Sequence, residues 1–157
     1  MRLLTLLATT ATAAAFHRAA PTGGQRRLRR LHAGVHTSPL TLPCGETTSA
    51  TFSFSAEACS GLGEQTNDCV RAFRRIKAAS EDPDAKRVRE ESLEYHANVD
   101  DDTWVSFECN PNVAPDPMHA DVFVKVRSGG LEVTSTCTLV KLIEALKLYK
   151  AANAAAA

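Results

Sequence analysis

Apolar and polar residues alternate along much of the last third of the chain. In residues 104–109 and again in residues 120–127, every second side chain is apolar, which is the period of a strand with one buried face. Residues 131–137 continue the alternation after a turn at residues 128–130, where glycine adopts positive φ without steric cost. The pattern predicts three antiparallel strands.

A helix is predicted to follow these strands. Thr138 is suited to the N-cap position because its hydroxyl can accept a hydrogen bond from the first helical turn. The apolar residues that follow recur at helical spacing and form one stripe: Leu139, Leu142, Ile143, Leu146 and Tyr149. A helix laid across the strands would bury both apolar surfaces. The sequence therefore predicts an α+β fold, a small antiparallel sheet of three to four strands with a C-terminal amphipathic helix packed on it.

Weaker patterns precede this part of the chain. Residues 49–55 alternate in the manner of a further strand, and residues 66–79 carry an apolar stripe at helical spacing. Gly61 and Gly63 are expected to end any helix that begins earlier. Residues 83–95 are expected to form a second, exposed helix, so two short helices are predicted before the sheet.

Charge is distributed unevenly along the 157 residues. The chain has 18 Lys and Arg against 18 Asp and Glu, yet the first acidic residue is Glu46 and six arginines precede it. Without that acid-free segment the remainder carries twelve cations and eighteen anions. Since phosphate backbones require a basic surface, an acidic domain is not expected to bind nucleic acid.

The N-terminal residues have the composition of targeting sequences. Arg2 is followed by a short apolar run that ends in small residues at 13–15, the layout of a signal peptide. The run is too short for a membrane helix, and no transmembrane segment is expected in the mature chain. Residues 16–45 are basic and are predicted to be a transit-like or disordered segment, and residues 46–153 a single α+β domain.

The junction of Ala15 with Phe16, followed by Ala19, Ala20 and Pro21, resembles the bipartite plastid presequence of red-lineage algae. This resemblance implies delivery to a plastid through the secretory route. Plain secretion is the alternative, with residues 1–15 as an ordinary signal peptide.

The C-terminal part, residues 103–153, resembles a COMM domain. The matching features are Trp104, Pro115, Pro117, residues 122–126, Gly129-Gly130, residues 131–138 and residues 139–149. The resemblance implies an adaptor that dimerises and has no catalytic residues. It also implies that Trp104 and the strand faces form the partner interface.

Two pairs of residues are candidates for function. Trp104, the only tryptophan, falls on the strand face opposite the predicted core, with Phe123 as a same-side neighbour. Aromatic anchors dominate the energetics of protein interfaces, so both are interface candidates. Cys109 and Cys137 fall on core faces and could form a thiol pair on neighbouring strands, with inert buried thiols as the alternative.

No constellation in the sequence predicts catalysis, a cofactor or a metal. The run of aspartates at 100–102 lacks the spacing and glycine of a calcium loop. His119 lies near Asp121, but no nucleophile accompanies them.

The leading functional hypothesis is a non-enzymatic protein-interaction or adaptor module that binds other proteins, including a homo- or heterodimeric partner. One alternative is a small-ligand carrier or enzyme with a helix-grip-like fold. Another is a thiol-regulated plastid accessory protein that depends on Cys109 and Cys137.

Overall fold

The computed structural model of the protein describes residues 36–45 and 47–156. Predictions for the signal peptide and for most of the transit-like segment lie outside these residues. The elements within them are β1 (Thr37–Cys44), β2 (Thr48–Ser55), α1 (Ala56–Glu81), β3 (Leu93–Asn98), β4 (Thr103–Cys109), β5 (Asp121–Ser128), β6 (Leu131–Thr138) and α2 (Leu139–Ala156).

The strands form two antiparallel sheets. β3, β4, β5 and β6 are neighbours in chain order in a four-stranded sheet, whereas β1 and β2 form a separate hairpin. In the larger sheet, Phe107 pairs with Val124, and Val122 pairs with Cys137. The apolar residues of adjacent strands therefore lie on the same face, which we call the inner face. The opposite one is the outer face.

Both helices pack on the apolar side of the strands. α1 contacts α2 and β3, and α2 contacts β1, β5 and β6. The Tyr149 hydroxyl donates a 2.6 Å hydrogen bond to the carbonyl oxygen of Phe54, which fixes α2 to the end of β2. The ring of Phe54 also meets that of Phe107 edge-on, with ring centroids 6.4 Å apart. Burial of each large apolar side chain here contributes about 1.5–3 kcal/mol.

The predicted fold class is confirmed. The structure is α+β, with a four-stranded antiparallel sheet and a C-terminal helix packed against it. The turn after β5 has Gly129 at a φ of 57°, as its sequence predicted. Thr138 Oγ1 accepts a hydrogen bond from the Lys141 amide at 3.4 Å, so the predicted N-cap is also present.

The prediction of two short helices before the sheet is wrong. A single 26-residue helix, α1, begins directly after Ser55, whose Oγ accepts a hydrogen bond from the Ala58 amide at 3.1 Å. The helix continues through Gly61, which packs under the ring of Tyr95. A Cβ at this position would lie 3.1 Å from Cε2 of Tyr95, so the glycine allows the close approach. The expected second helix is replaced by an extended segment and strand β3, which contains Tyr95.

The folded region also begins earlier than residue 46. β1 lies within the segment assigned to transit or disorder, and it pairs with β2 along its whole length. Leu40 and Leu42 of β1 are buried in the core. The hairpin therefore belongs to the same hydrophobic core as the larger sheet.

In the part of the chain that the structure describes, neither helix combines the length and apolarity needed to cross a membrane.

Candidate functional site

The outer face of the four-stranded sheet carries the side chains that alternate with the core. Neither helix packs on it, and most of its residues are exposed. One row across the sheet consists of Asn98, Trp104, Arg127 and Glu132, each opposite the next on the adjacent strand. This row is the most organised part of the outer face.

Trp104 is held from two sides. The His96 ring stacks parallel to the indole, with ring centroids 5.9 Å apart and an angle of 6° between the planes. On the neighbouring strand, Cζ of Arg127 lies 5.8 Å from the indole centroid, within the range of a cation–π contact. The indole is therefore half-buried by its neighbours on the sheet surface, with no contribution from a helix.

The guanidinium is itself fixed by a carboxylate. Arg127 Nη2 lies 2.6 Å from Oε2 of Glu132, and Lys125 Nζ lies 3.1 Å from the other oxygen. These two cations, Arg127 first, hold the pKa of the Glu132 carboxyl below its ordinary value. Arg127 donates two hydrogen bonds to Oε2 of Glu132, which hold its guanidinium beside the indole.

Phe123 lies on the same outer face, at a distance from Trp104. It pairs with Glu108 on β4, and its side chain is 58% exposed. Glu108 is four positions from Trp104 along β4, which corresponds to about 13 Å. The prediction that Trp104 and Phe123 share a face is correct, but they form two separate aromatic positions.

Cys109 and Cys137 do not lie on neighbouring strands. Cys109 is on β4 and Cys137 on β6, and β5 runs between them. Strands are spaced about 4.8 Å apart, so the two Cα atoms are roughly 9.6 Å apart, beyond the reach of a disulfide. The predicted thiol pair is therefore not brought together.

All five cysteines are buried free thiols. Cys109 instead forms a hydrogen bond with the thiol of Cys69 on α1. This hydrogen bond and burial both raise the pKa of Cys109. Burial raises the pKa of Cys137 to about 12. Burial and the raised pKa values disfavour the thiolate, the nucleophilic form, of both side chains at neutral pH.

The acidic run and the histidine considered earlier have structural roles. Asp100 Oδ1 accepts hydrogen bonds from the amides of Asp102 and Thr103, which closes the turn into β4. His119 Nδ1 lies 2.9 Å from Asp116 rather than beside Asp121. Among residues 36–45 and 47–156, no group of three His, Cys, Asp or Glu side chains is placed to hold a metal ion.

Sequence reasoning missed the partners of Trp104. His96 directly follows residues 83–95, for which the sequence pattern predicts a helix and not a strand, and Arg127 is the last residue of the alternating segment 120–127. The sequence does carry a signal for His96. Leu93, Tyr95 and Ala97 alternate with polar residues, which places His96 on the outer face.

A scan of protein-family models, a search of curated proteins and a search of solved structures each find no significant match to this chain.

Proposed function

We propose that this chain is a non-enzymatic protein-interaction module and that it binds its partner through the outer face of the sheet. The observation that carries the proposal is the geometry around Trp104. An indole stacked on His96 and covered at 5.8 Å by Arg127 stands on a sheet face that no helix covers.

Preorganisation makes this arrangement favourable for binding. Tryptophan and arginine are enriched among the interface residues whose truncation to alanine costs the most binding free energy. Arg127 is already ion-paired with Glu132, and Trp104 is already stacked, so little side-chain entropy remains to be lost on association. Phe123 offers a second apolar contact on the same face.

The resemblance of residues 103–153 to a COMM domain supports the same surface. In that family the strand faces and the tryptophan form the interface of a dimerising adaptor. We therefore include homo- or heterodimerisation among the interactions of the outer face.

The decisive experiment is Trp104→Ala in the mature protein. Truncation of a central anchor costs about 2 kcal/mol or more of binding, roughly thirtyfold in affinity. We expect self-association or partner recovery to be lost in size-exclusion chromatography and affinity capture, while the melting temperature stays close to wild type.

Leu148→Ala is the matched control, because Leu148 is an exposed apolar residue on α2, away from the outer face. It should leave oligomer size and partner recovery unchanged. A folded Trp104→Ala protein with unchanged partner recovery would contradict the proposal. A large fall in melting temperature would instead assign Trp104 a structural role.

The ligand-carrier alternative has one observation in its favour. The hairpin raises the number of strands in the described part of the chain to six, and α2 contacts strands of both sheets, as a helix gripped by a sheet would. However, the rings of Phe54, Phe107 and Tyr149 fill the space between α2 and the strands. We therefore favour the interaction module, and the thiol-regulated alternative is weakened by the position of β5 between its two cysteines.

The proposed location is a plastid reached through the secretory route, with secretion as the alternative. This proposal depends on the resemblance of about the first 40 residues, with the Ala15–Phe16 junction, to a plastid presequence. N-terminal sequencing of the protein from cells should find a start downstream of Arg30, and an intact Met1 terminus would contradict it.

A further inference from the structure

A groove of about 720 Å³ lies between the β1–β2 hairpin and the end of the β5–β6 hairpin. Ala50 and Phe52 of β2 contribute to one wall, and Val126, Leu131 and Val133 to the other. This groove is separate from the outer face, because Val126 and Val133 belong to the inner face.

The groove is uncharged throughout. Its lining consists of apolar residues together with serine and threonine hydroxyls, and it includes no Lys, Arg, Asp or Glu. Across the whole chain, 23% of residues are charged. β2 has no charged residue, and the one charge on β6, Glu132, points to the outer face where it pairs with Arg127.

The walls of the groove are strand edges with free hydrogen-bonding groups. Among the described residues 36–45 and 47–156, β6 hydrogen-bonds with β5 alone, and β1 approaches β6 without pairing with it. Alternate backbone amides and carbonyls of residues 131–135, which border the groove, therefore point away from the sheet. Proteins usually protect such edges with lysine, proline or inward-pointing charge. Here the inward-pointing residues of the edge are Val133 and Ser135, and no such protection is present.

We propose that this groove binds an extended, uncharged segment of a partner protein, which adds as a strand to the edge of β6. The part of β6 that borders the groove, residues 131–135, is about 17 Å long and supplies the backbone ladder. Side chains of the added strand that point inward meet Ala50 and Phe52.

The chemistry of the groove selects this occupant over others. A charged side chain would be desolvated there without a partner, which is unfavourable. A small apolar ligand would leave the backbone groups of β6 unpaired. A second copy could pair its β6 with the β6 of the first, but this pairing would use only one wall of the groove.

A displayed random octapeptide library, selected on the mature protein, tests the proposal. We expect the selected peptides to be uncharged and to alternate β-branched or apolar residues. One selected peptide is then synthesised with a fluorophore, and its affinity is measured by fluorescence anisotropy. We expect it to bind the Val133→Lys variant at least tenfold more weakly than the wild type, because the lysine places a charge in the groove.

Thr136→Lys is the matched control, on the same strand but facing outward, and should change the affinity less than twofold. Trp104→Ala should also leave peptide affinity unchanged, so failure of this proposal and failure of the outer-face proposal are distinguishable. On the unmutated protein, the peptide should slow amide hydrogen exchange in residues 131–137. This last readout does not depend on any variant folding.

Several outcomes would overturn the proposal. Selection of charged peptides, or of none, would contradict the chemistry of the groove. Exchange protection on β4 instead of β6 would move the site to the outer face. A peptide-independent dimer broken by Val133→Lys would make a second copy the occupant, and displacement of the peptide by oleate would make it a small apolar ligand.

Discussion

The two faces of the four-stranded sheet come from the same strands, one residue out of phase. On the inner face Val105, Phe107 and Val122 are completely buried under the helices. On the outer face Trp104 and Phe123 alternate with them, supported only by neighbouring side chains and solvent. One set of residues is therefore buried in the core while most of the other is exposed, and substitutions should separate the two.

The largest effect is expected from Leu142→Asp. Leu142 is 0% exposed in the centre of α2, so the substitution buries a carboxylate with no partner. A buried, uncompensated charge costs several kcal/mol out of a total stability of about 5–15 kcal/mol. We expect the variant to lose its cooperative thermal transition in circular dichroism.

Leu148→Asp is the control for this variant. It lies on the same helix but is 72% exposed, so its effect should remain within about 0.5 kcal/mol. A folded Leu142→Asp protein, or equal destabilisation by both variants, would mean that α2 does not present this stripe to the core.

A smaller effect is expected from Phe107→Ala on the inner face. The ring is fully buried and packs edge-on against Phe54, so its removal leaves a cavity. Such truncations cost about 3–5 kcal/mol, which chemical denaturation would detect as a lower midpoint at an unchanged m-value.

Phe123→Ala on the adjacent strand should have the smallest effect. It faces outward, and truncation of an exposed side chain changes the free energy of unfolding by about 0.5 kcal/mol or less. If Phe123→Ala destabilises the fold as much as Phe107→Ala does, the outer face is a second core surface and the separation of the two faces fails.

The last third of the chain was predictable because its local patterns agree with its tertiary packing. Alternation in β4 and β5 matches burial on the inner face, with Ser106 as a buried residue of the outer face, and the stripe of α2 matches the helix face that is buried. The placement of Trp104 and Phe123 on a common outer face followed from the same alternation.

The first part of the chain misled because its local signals conflict with its packing. Pro39 and Pro43 hide β1, although prolines are tolerated in a strand that pairs along only one edge. Gly61 and Gly63 suggest a helix end, yet both lie within α1, and at Gly61 the absence of a Cβ allows the close approach of the Tyr95 ring. Close approach between elements distant in sequence leaves no local pattern.

The separation of Cys109 from Cys137 could not be predicted for a different reason. Burial of both thiols follows from alternation, but their distance depends on strand order, and an antiparallel meander places β5 between them. The His96–Trp104 stack likewise depends on the pairing of β3 with β4, which only the register reveals.

One side chain extends that pairing beyond the last residues of the two strands. The amide of Asn112 accepts a hydrogen bond from the Glu90 amide at 2.9 Å and donates one to the Glu90 carbonyl at 2.7 Å, so it imitates a paired backbone residue. It does so three residues beyond the pairing of Leu93 with Cys109, where the ladder would otherwise have ended. A slip of one residue would turn every side chain of β3 to the opposite face and remove His96 from the indole. The two hydrogen bonds of Asn112 are compatible with the observed register only, so a side chain in the loop after β4 adds to the stability of the pairing that holds His96 against the indole.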